Sequence, residues 1–316
     1  MANDLIPVMW DDAKPSSHPI VVHDIRTTND INSLFDSILY LKGTSIVRML
    51  EKMVGSDRFR SSLNEFLSID GFDIADPVDF YRPLFDNFDG EGFVKNWLEE
   101  ANYPLIKVDL TVENGNTKLS FTQSRFIISD ALNISSLNST YRWKINMTCV
   151  LGGNYPNDDV SNVPGETLMF YFDQEQDNRV LSGKSYSWIK CNQDFQGLFV
   201  TQYTFPTTTW SRFASVLEAK PTVSHIEREL EHTPFVSFFK FFSDEDKTNL
   251  VQDAFLLAYK GLIDYSEPLR LVRSLININI DQYVHWRTFE WHWENLARMV
   301  DYLPSTLTLF QVGVNL

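Results

Sequence analysis

The chain has 316 residues, 43% of them hydrophobic and 14% aromatic, which suffices for about two packed domains and argues against disorder. A formal net charge of −15 argues against nucleic acid as a partner, because phosphate backbones demand a basic face. No apolar run approaches the ~20 residues of a membrane span, so no transmembrane segment is expected. The amino terminus also lacks the basic start and apolar core of a signal peptide, so the chain as written is expected in the cytosol.

Residues 1–103 read as mostly helical. The acidic patches Asp11-Asp12 and, further on, Asp244-Glu245-Asp246 read as solvated surface. The organising stretch runs from Asn29 to Val54, with apolar residues at Ile31, Leu34, Phe35 and Ile38, then at Ile46, Met49, Leu50 and Met53. Within each half this is the spacing of one helix face turned toward a core, capped at Asn29 or Asp30. Gly43 lies between the halves, where close packing or a break is expected. Tyr40 and Lys42 stand just before it, and by its spacing alone Tyr40 reads as a core residue with a satisfied hydroxyl. Phe59, Leu63, Phe66 and Leu67 mark a second helix ending near Gly71. Asp76-Pro77 has the form of an N-cap followed by proline at the first helical position. Phe93 to Ala101 makes one more helix, closed by Tyr103-Pro104, with Trp97 in the core.

From Leu105 the period changes from about 3.6 to 2. Val108, Leu110 and Val112, then Leu119 and Phe121, alternate around Asn114-Gly115, a hairpin signal. Four more strands are expected in YRWKINMTCVL, TLMFYF, YSWIKCN and GLFVTQY, with YPNDDVSNVPGE and DQEQDN as loops, and this spacing suggests a β-sandwich. Three glycosylation sequons begin at Asn133, Asn138 and Asn146. Cys149 and Cys191 fall in strands of the same region; a disulfide and two buried thiols are both compatible with that placement. After Phe205-Pro206 the chain is helical again, with Trp210, Phe213, Val216 and Leu217 on one face and Leu250, Ala254, Leu257 and Ala258 on another. The phenylalanine-rich segment Phe235 to Phe242 reads as buried, or as an exposed patch if its cover lies elsewhere. Trp286, Phe289 and Trp293 share a face, and the nearby His285 and His292 read as packing rather than metal ligands.

In order and spacing, the blocks SSHPI (16–20), LFDSILYLKG (34–43), FRSSLNEFL (59–67), VKNWLEEANYPLIKV (94–108) and FTQSRF (121–126) resemble the M1 family of zinc aminopeptidases, the relatives of aminopeptidase N and the endoplasmic-reticulum aminopeptidases. WIKCN (188–192) with GLFVTQY (197–203), and DAFLLAYKGLIDYSEPLRL (253–271), extend the likeness to about residue 290. The resemblance implies a multidomain α+β chain in three parts. Residues 1–103 would form the helical end of a thermolysin-like catalytic domain, 104–205 a β-sandwich domain, and 206–316 the start of an α-helical C-terminal array. It also implies that Tyr40 is the family's transition-state tyrosine, with Lys42-Gly43 matching and Thr44 where the family usually has alanine. A phenol keeps its proton at pH 7, so it can donate to the oxyanion formed at a peptide carbonyl.

The family binds zinc through His-Glu-x-x-His and a later glutamate, and holds the substrate amine through Gly-x-Met-Glu-Asn. Neither motif occurs among these residues, and none of the six histidines has a partner at i+4. In the family both motifs precede Ser-His-Pro, so the chain is expected to begin after the metal site, with no cofactor of its own where the full-length family carries zinc. Three readings follow. The chain is an inert fragment or degenerate copy of a peptide-cleaving enzyme. It is a non-catalytic interaction protein that binds peptides, a homologous aminopeptidase or itself. Or it is a hydrolase built from scattered carboxylates such as Asp24, Asp36 and Glu51. Members of the family are often secreted or membrane-tethered, which would account for the sequons.

Overall fold

The structure is a computed structural model that describes residues 2–69, 76–85, 90–128, 141–156, 166–205, 209–218, 242–277 and 287–295. Helix α1 (Ala2–Asp12) opens the chain. Helix α2 (Thr28–Ser33) follows, and a π-helix (Ile38–Lys42) runs directly into α3 (Gly43–Val54). Helices α4 (Ser56–Ile69), α5 (Pro77–Tyr81) and α6 (Gly90–Glu99) complete the first helical region.

Several local expectations change here. The cap of α2 is Thr27, not Asn29 or Asp30; Asp30 instead reaches back to the Thr27 N–H at 2.8 Å. Ile46, Met49 and Leu50 do face the core, but Ile31 and Phe35 are exposed, because α2 is a short surface helix rather than the first half of a core-facing one. Gly43 neither breaks the helix nor permits a close approach, since its backbone is right-handed helical and a Cβ there would meet nothing within 4 Å. The discontinuity is the change of hydrogen-bond pattern from π to α. Helix α5 is capped as read, with the Asp79 carboxylate accepting from the Asp76 N–H at 3.0 Å. Helix α6 stops at Glu99, and Tyr103-Pro104 begins a strand instead of closing the helix. Trp97 is fully buried, and its indole N–H donates to the Lys144 carbonyl at 2.9 Å.

Strands β1 (Tyr103–Glu113) and β2 (Asn116–Phe126) form the expected hairpin, with Asn114 and Gly115 both at positive φ, as a tight primed turn requires. They are followed by β3 (Ile145–Gly152), β4 (Thr167–Phe172), β5 (Gln176–Leu181), β6 (Trp188–Cys191) and β7 (Val200–Thr204). The first sheet has the order β5-β2-β1-β7, with β7 parallel to β1; the second has the order β4-β3-β6. Part of the segment DQEQDN, read as loop, is strand β5, because its backbone pairs with β2 although its side chains lack an apolar alternation. Aromatic rings link the sheets: Phe121 of β2 lies 5.0 Å from Phe170 of β4. Cys149 and Cys191 face one another in the β3–β6 register and are joined as a disulfide.

Helices α7 (Thr209–Glu218), α8 (Asp244–Tyr259) and α9 (Ser266–Asn277) follow, with a further helical stretch over residues 287–295. Trp210, Phe213, Val216 and Leu217 are buried together on α7. Helix α8 is buried on nearly every side, and its polar residues are therefore paired. The Gln252 side chain meets His292 at 2.6 Å, and the Lys247 ammonium meets Asp244 at 2.7 Å. His292 stacks on Phe255 at 4.7 Å, as the packing reading anticipates, whereas Trp293 is partly exposed. Trp10 of α1 closes this end of the molecule, 4.5 Å from Tyr259 and 5.3 Å from Trp291. Trp286, His285, the segment Phe235 to Phe241, and the sequons at Asn133 and Asn138 lie outside the described residues.

Two measurements test this packing. The disulfide closes a loop of 42 residues, so replacing both cysteines by alanine is expected to lower unfolding free energy by about 4 kcal/mol in the chain-entropy limit, read from urea titrations. Burial pushes the His292 imidazole down to about 3 from 6.5. The unfolded chain therefore binds a proton that the native state refuses as pH falls below 6.5. Stability should decline from there toward pH 3, by up to about 1.4 kcal/mol per pH unit, and His292→Gln should remove that component.

Candidate active-site tyrosine and its buried support

Tyr40 sits in the middle of the π-helix with 59% of its surface exposed, its ring 6.4 Å from that of Phe35. This overturns the reading of a core tyrosine: the π-helix turns Ile38 and Lys42 inward and leaves residue 40 facing out. The helix start is held by Asp36, whose Oδ1 accepts from the Ile38 N–H at 2.9 Å and the Leu39 N–H at 3.1 Å. The other carboxylate oxygen meets His18 Nε2 at 3.0 Å, while His18 Nδ1 meets the Pro19 carbonyl at 2.8 Å. Partial burial raises the Asp36 carboxyl, but the hydrogen bonds from Leu39 and His18 outweigh it and leave the group below its ordinary value. Ser37 donates to Asp11 at 2.8 Å, and Thr44 donates to the Tyr40 carbonyl at 2.8 Å. The threonine at the family's alanine position is thus used to bond back into the preceding turn.

The end of the π-helix is fixed by Lys42, which is fully buried. Its ammonium lies 3.0 Å from Asp12, also fully buried, and donates to the carbonyls of Glu100 (2.8 Å) and Asn102 (2.9 Å). Burial lowers the Lys42 pKa, and Asp12 acts against that shift. Asp12 also accepts from the Asn102 N–H at 3.0 Å and from the Ser17 hydroxyl. The Asn102 amide in turn donates to the carbonyls of Asp12 and Lys14, and its oxygen accepts from Arg125. One buried cation thereby joins α1, the π-helix and the entry to β1. Asp12, which reads as solvated surface in the sequence, is inside, and burial of Lys42 is what requires it there.

A second pair repeats the device. Lys190 of β6 is fully buried against Asp246 at the start of α8 and donates to the Asn192 carbonyl at 2.6 Å. Asp246, the last residue of the other acidic patch, also accepts from the Asp194 N–H at 2.8 Å. Arg48 of α3 donates to the carbonyls of Phe195 (2.6 Å) and Asp194 (3.3 Å), tying the helix after Tyr40 to the same turn. That turn needs Gly197, where a Cβ would stand 2.3 Å from the Phe199 ring.

The structure does not bring the scattered carboxylates together. Asp24 pairs with Arg26 at 3.2 Å, Glu51 accepts from Ser56 at 2.9 Å, and Asp36 is committed to the π-helix. Among the described residues no group of three His, Cys, Asp or Glu side chains is placed to hold a metal ion, and both ring nitrogens of His18 already face oxygen partners. The residues present near Tyr40 therefore do not fit a zinc site. Asn146 lies on β3, half-buried beside Met49 and Lys52. Asp12 reads as surface in the sequence, and nothing there marks Asn102. The available signal is the lysine itself: a lysine in a core-facing helix needs an acid, though its partner Asp12 stands 30 residues away.

Lys42→Met is expected to cost about 3–5 kcal/mol in a urea titration, because Asp12 is left buried without its cation. Glu100, beside this cluster, is pushed up to about 7 by burial, against the pull of Arg125 and Lys42. The native state keeps a proton that the unfolded chain releases above its ordinary 4.5, so this group's contribution is lost as pH rises from 4.5 through 7. Glu100→Gln should flatten the unfolding midpoint across that window.

The profile of the Peptidase family M1 domain matches residues 1–97, which include the π-helix and Tyr40. Glutamyl aminopeptidase of Sus scrofa is 30% identical over 295 residues, covering 91% of this chain and 27% of that protein. Aminopeptidase A of Gloydius brevicauda is 28% identical over 294 residues, with the same two coverages. The thyrotropin-releasing hormone-degrading ectoenzyme of Rattus norvegicus is 27% identical over 280 residues, covering 85% of this chain and 24% of that protein. The chain spans about a quarter of the length of these curated relatives. No helix among the described residues is long and apolar enough to cross a membrane. The profile match and the collinear relatives together place the chain in peptidase family M1.

Proposed function

We propose that these 316 residues supply the transition-state tyrosine and the region that follows it in an M1-type aminopeptidase, an enzyme class that uses zinc to remove N-terminal residues from peptides. On this reading the chain performs no hydrolysis by itself. The observation that carries it is the placement of Tyr40: an exposed phenol on a π-helix pinned at one end by Asp36 and at the other by Lys42. A neutral donor held this way stabilises a developing oxyanion by roughly 3–4 kcal/mol without bringing a competing charge. Because the donor set around it does not fit zinc, activation of water is assigned to residues beyond this sequence, and no step is routed through these histidines.

The three-part division at 1–103, 104–205 and 206–316 belongs to the same proposal. The rings of Phe121, Phe170 and Phe172 between the two sheets support a β-sandwich in the middle part. The Cys149–Cys191 disulfide and the sequons at Asn133, Asn138 and Asn146 support passage through an oxidising compartment. A second reading, a non-catalytic partner of a homologous aminopeptidase, draws support from the exposed apolar residues Ile31, Phe35, Tyr40 and Val47 around the π-helix.

Purified chain, supplied with zinc and offered glutamyl- or alanyl-p-nitroanilide, is expected to release no nitroaniline above buffer. Turnover that disappears in Tyr40→Phe would overturn the inert reading. Fused behind the amino-terminal part of a relative that carries the metal motif, the chain should support turnover. In that chimera Tyr40→Phe should lower kcat by about 100- to 1000-fold. A chimera indifferent to Tyr40→Phe would remove the tyrosine from the proposed role.

A further inference from the structure

Two buried polar atoms beside the Lys42 cluster have neither a hydrogen bond nor an ion pair among the described residues, and they are complementary. One is Oε2 of Glu100, an acceptor; the other is Nη1 of Arg125 in β2, a cationic donor. Native folds leave few such atoms, and these two flank one junction, Asn102. Arg125 donates through Nε to the Asn102 side-chain oxygen at 2.5 Å and lies over the Tyr141 ring, 4.6 Å from its centre. Asn102 has a left-handed φ of 66°, a conformation that asparagine tolerates better than most residues. Around that bend the carbonyls of Glu100 and Asn102 converge on the Lys42 ammonium, at 2.8 and 2.9 Å.

Among the described residues, the charges facing the Glu100 carboxyl are Arg125 from β2, Lys42 from the π-helix with Asp12 of α1 behind it, and Glu99 of α6. Glu99 itself faces His23 at 3.5 Å and Lys95 at 4.0 Å. Burial pushes the Glu100 carboxyl up to about 7, while Arg125 and Lys42 pull it down and Glu99 adds to the rise. The group therefore gains its charge close to neutrality, and a buried anion is costly unless a cation turns to it. Arg125 offers the unused donor. Its guanidinium is a rigid plane, so swinging Nη1 onto Oε2 carries Nε away from Asn102.

We propose that Glu100 and Arg125 are positioning residues for Tyr40, acting through Asn102 and Lys42. While Glu100 is neutral, Arg125 rests on Asn102, and the two carbonyls hold Lys42 firmly. Once Glu100 is ionised, Arg125 pairs with it, Asn102 loses its guanidinium, and the seat of Lys42 loosens. Tyr40, two residues before that lysine, moves with it. This coupling is a property of the chain; its effect on catalysis rests on the reading of Tyr40 as the oxyanion donor.

The test is NMR of the full chain, with labelled glutamate, arginine and tyrosine side chains, between about pH 5 and about pH 8.5, where ordinary phenols keep their protons. The Glu100 carboxyl, assigned by its absence from Glu100→Gln, should titrate at about 7. The Arg125 Nε–H and the Tyr40 ring signals, assigned through Arg125→Met and Tyr40→Phe, should shift with the same midpoint. In Glu100→Gln both should stay level across the range. In Arg125→Met the Glu100 carboxyl should still titrate, at higher pH, while the Tyr40 signals no longer follow it. Tyr40 signals that stay level while Glu100 titrates overturn the proposal. So does a Tyr40 response that persists in Glu100→Gln, which assigns it to His18 at the other end of the π-helix. An equal shift of every tyrosine with Glu100 also overturns it, because the response is then a general loosening. None of these readouts uses hydrolysis, so a chimera indifferent to Tyr40→Phe removes the catalytic reading and leaves the coupling standing.

Discussion

The contact between Lys42 and Asp12 is the constraint on which the described architecture around the tyrosine depends. A lysine removed from water is costly unless an anion and carbonyl oxygens replace its hydration, and here Asp12, Glu100 and Asn102 do so together. Because those partners come from the end of α1 and from the entry to β1, satisfying one ammonium fixes three chain segments relative to each other. Tyr40 lies two residues before that lysine, so the position of the phenol is inherited from a buried ion pair. Among the described residues the π-helix leaves Tyr40 exposed while its opposite face, with Ile38 and Lys42, is fully committed.

The same solution recurs at the junction of the second sheet with the C-terminal helices, where Lys190 and Asp246 meet. There the anion also accepts from the N–H of Ser243, the cap of α8, at 3.1 Å, so a helix start and a strand end are secured by one carboxylate. Asp253 extends the arrangement by accepting the Thr201 N–H, and burial pushes its carboxyl well above the usual carboxylate range. Helix α8 is apolar on no single face because it is surrounded, and its polar side chains close sheet edges and stack against neighbours instead of meeting water.

Much of the architecture was legible from local pattern. The Asn114-Gly115 turn, the cap at Asp76-Pro77 and the core faces of α3 and α7 each follow from residues within one or two turns of one another. Where reading failed, the competing influence came from a distance. Ile31 and Phe35 have core spacing, yet α2 is too short and too peripheral to bury them. Strand β5 has no apolar alternation, and only pairing with β2 makes it a strand. Asp12 and Asp246 look like surface acids until the lysines that need them are brought near.

The amino-acid sequence by itself determined the kinds of elements, the block containing Tyr40 and Lys42, and the family to which the chain belongs. The elements rest on steric preference and periodicity over about ten residues, whereas the family rests on the likeness of motif blocks, the one around Tyr40 among them, in order and spacing. Tertiary structure alone decided that the tyrosine points outward, that two acids go inside, and which sheet edges are covered. These outcomes depend on desolvation and on partners 30 to 60 residues away, such as Asp12 for Lys42 and Asp246 for Lys190. The energy of a buried charge is set by what surrounds it in space, and sequence order does not display those surroundings.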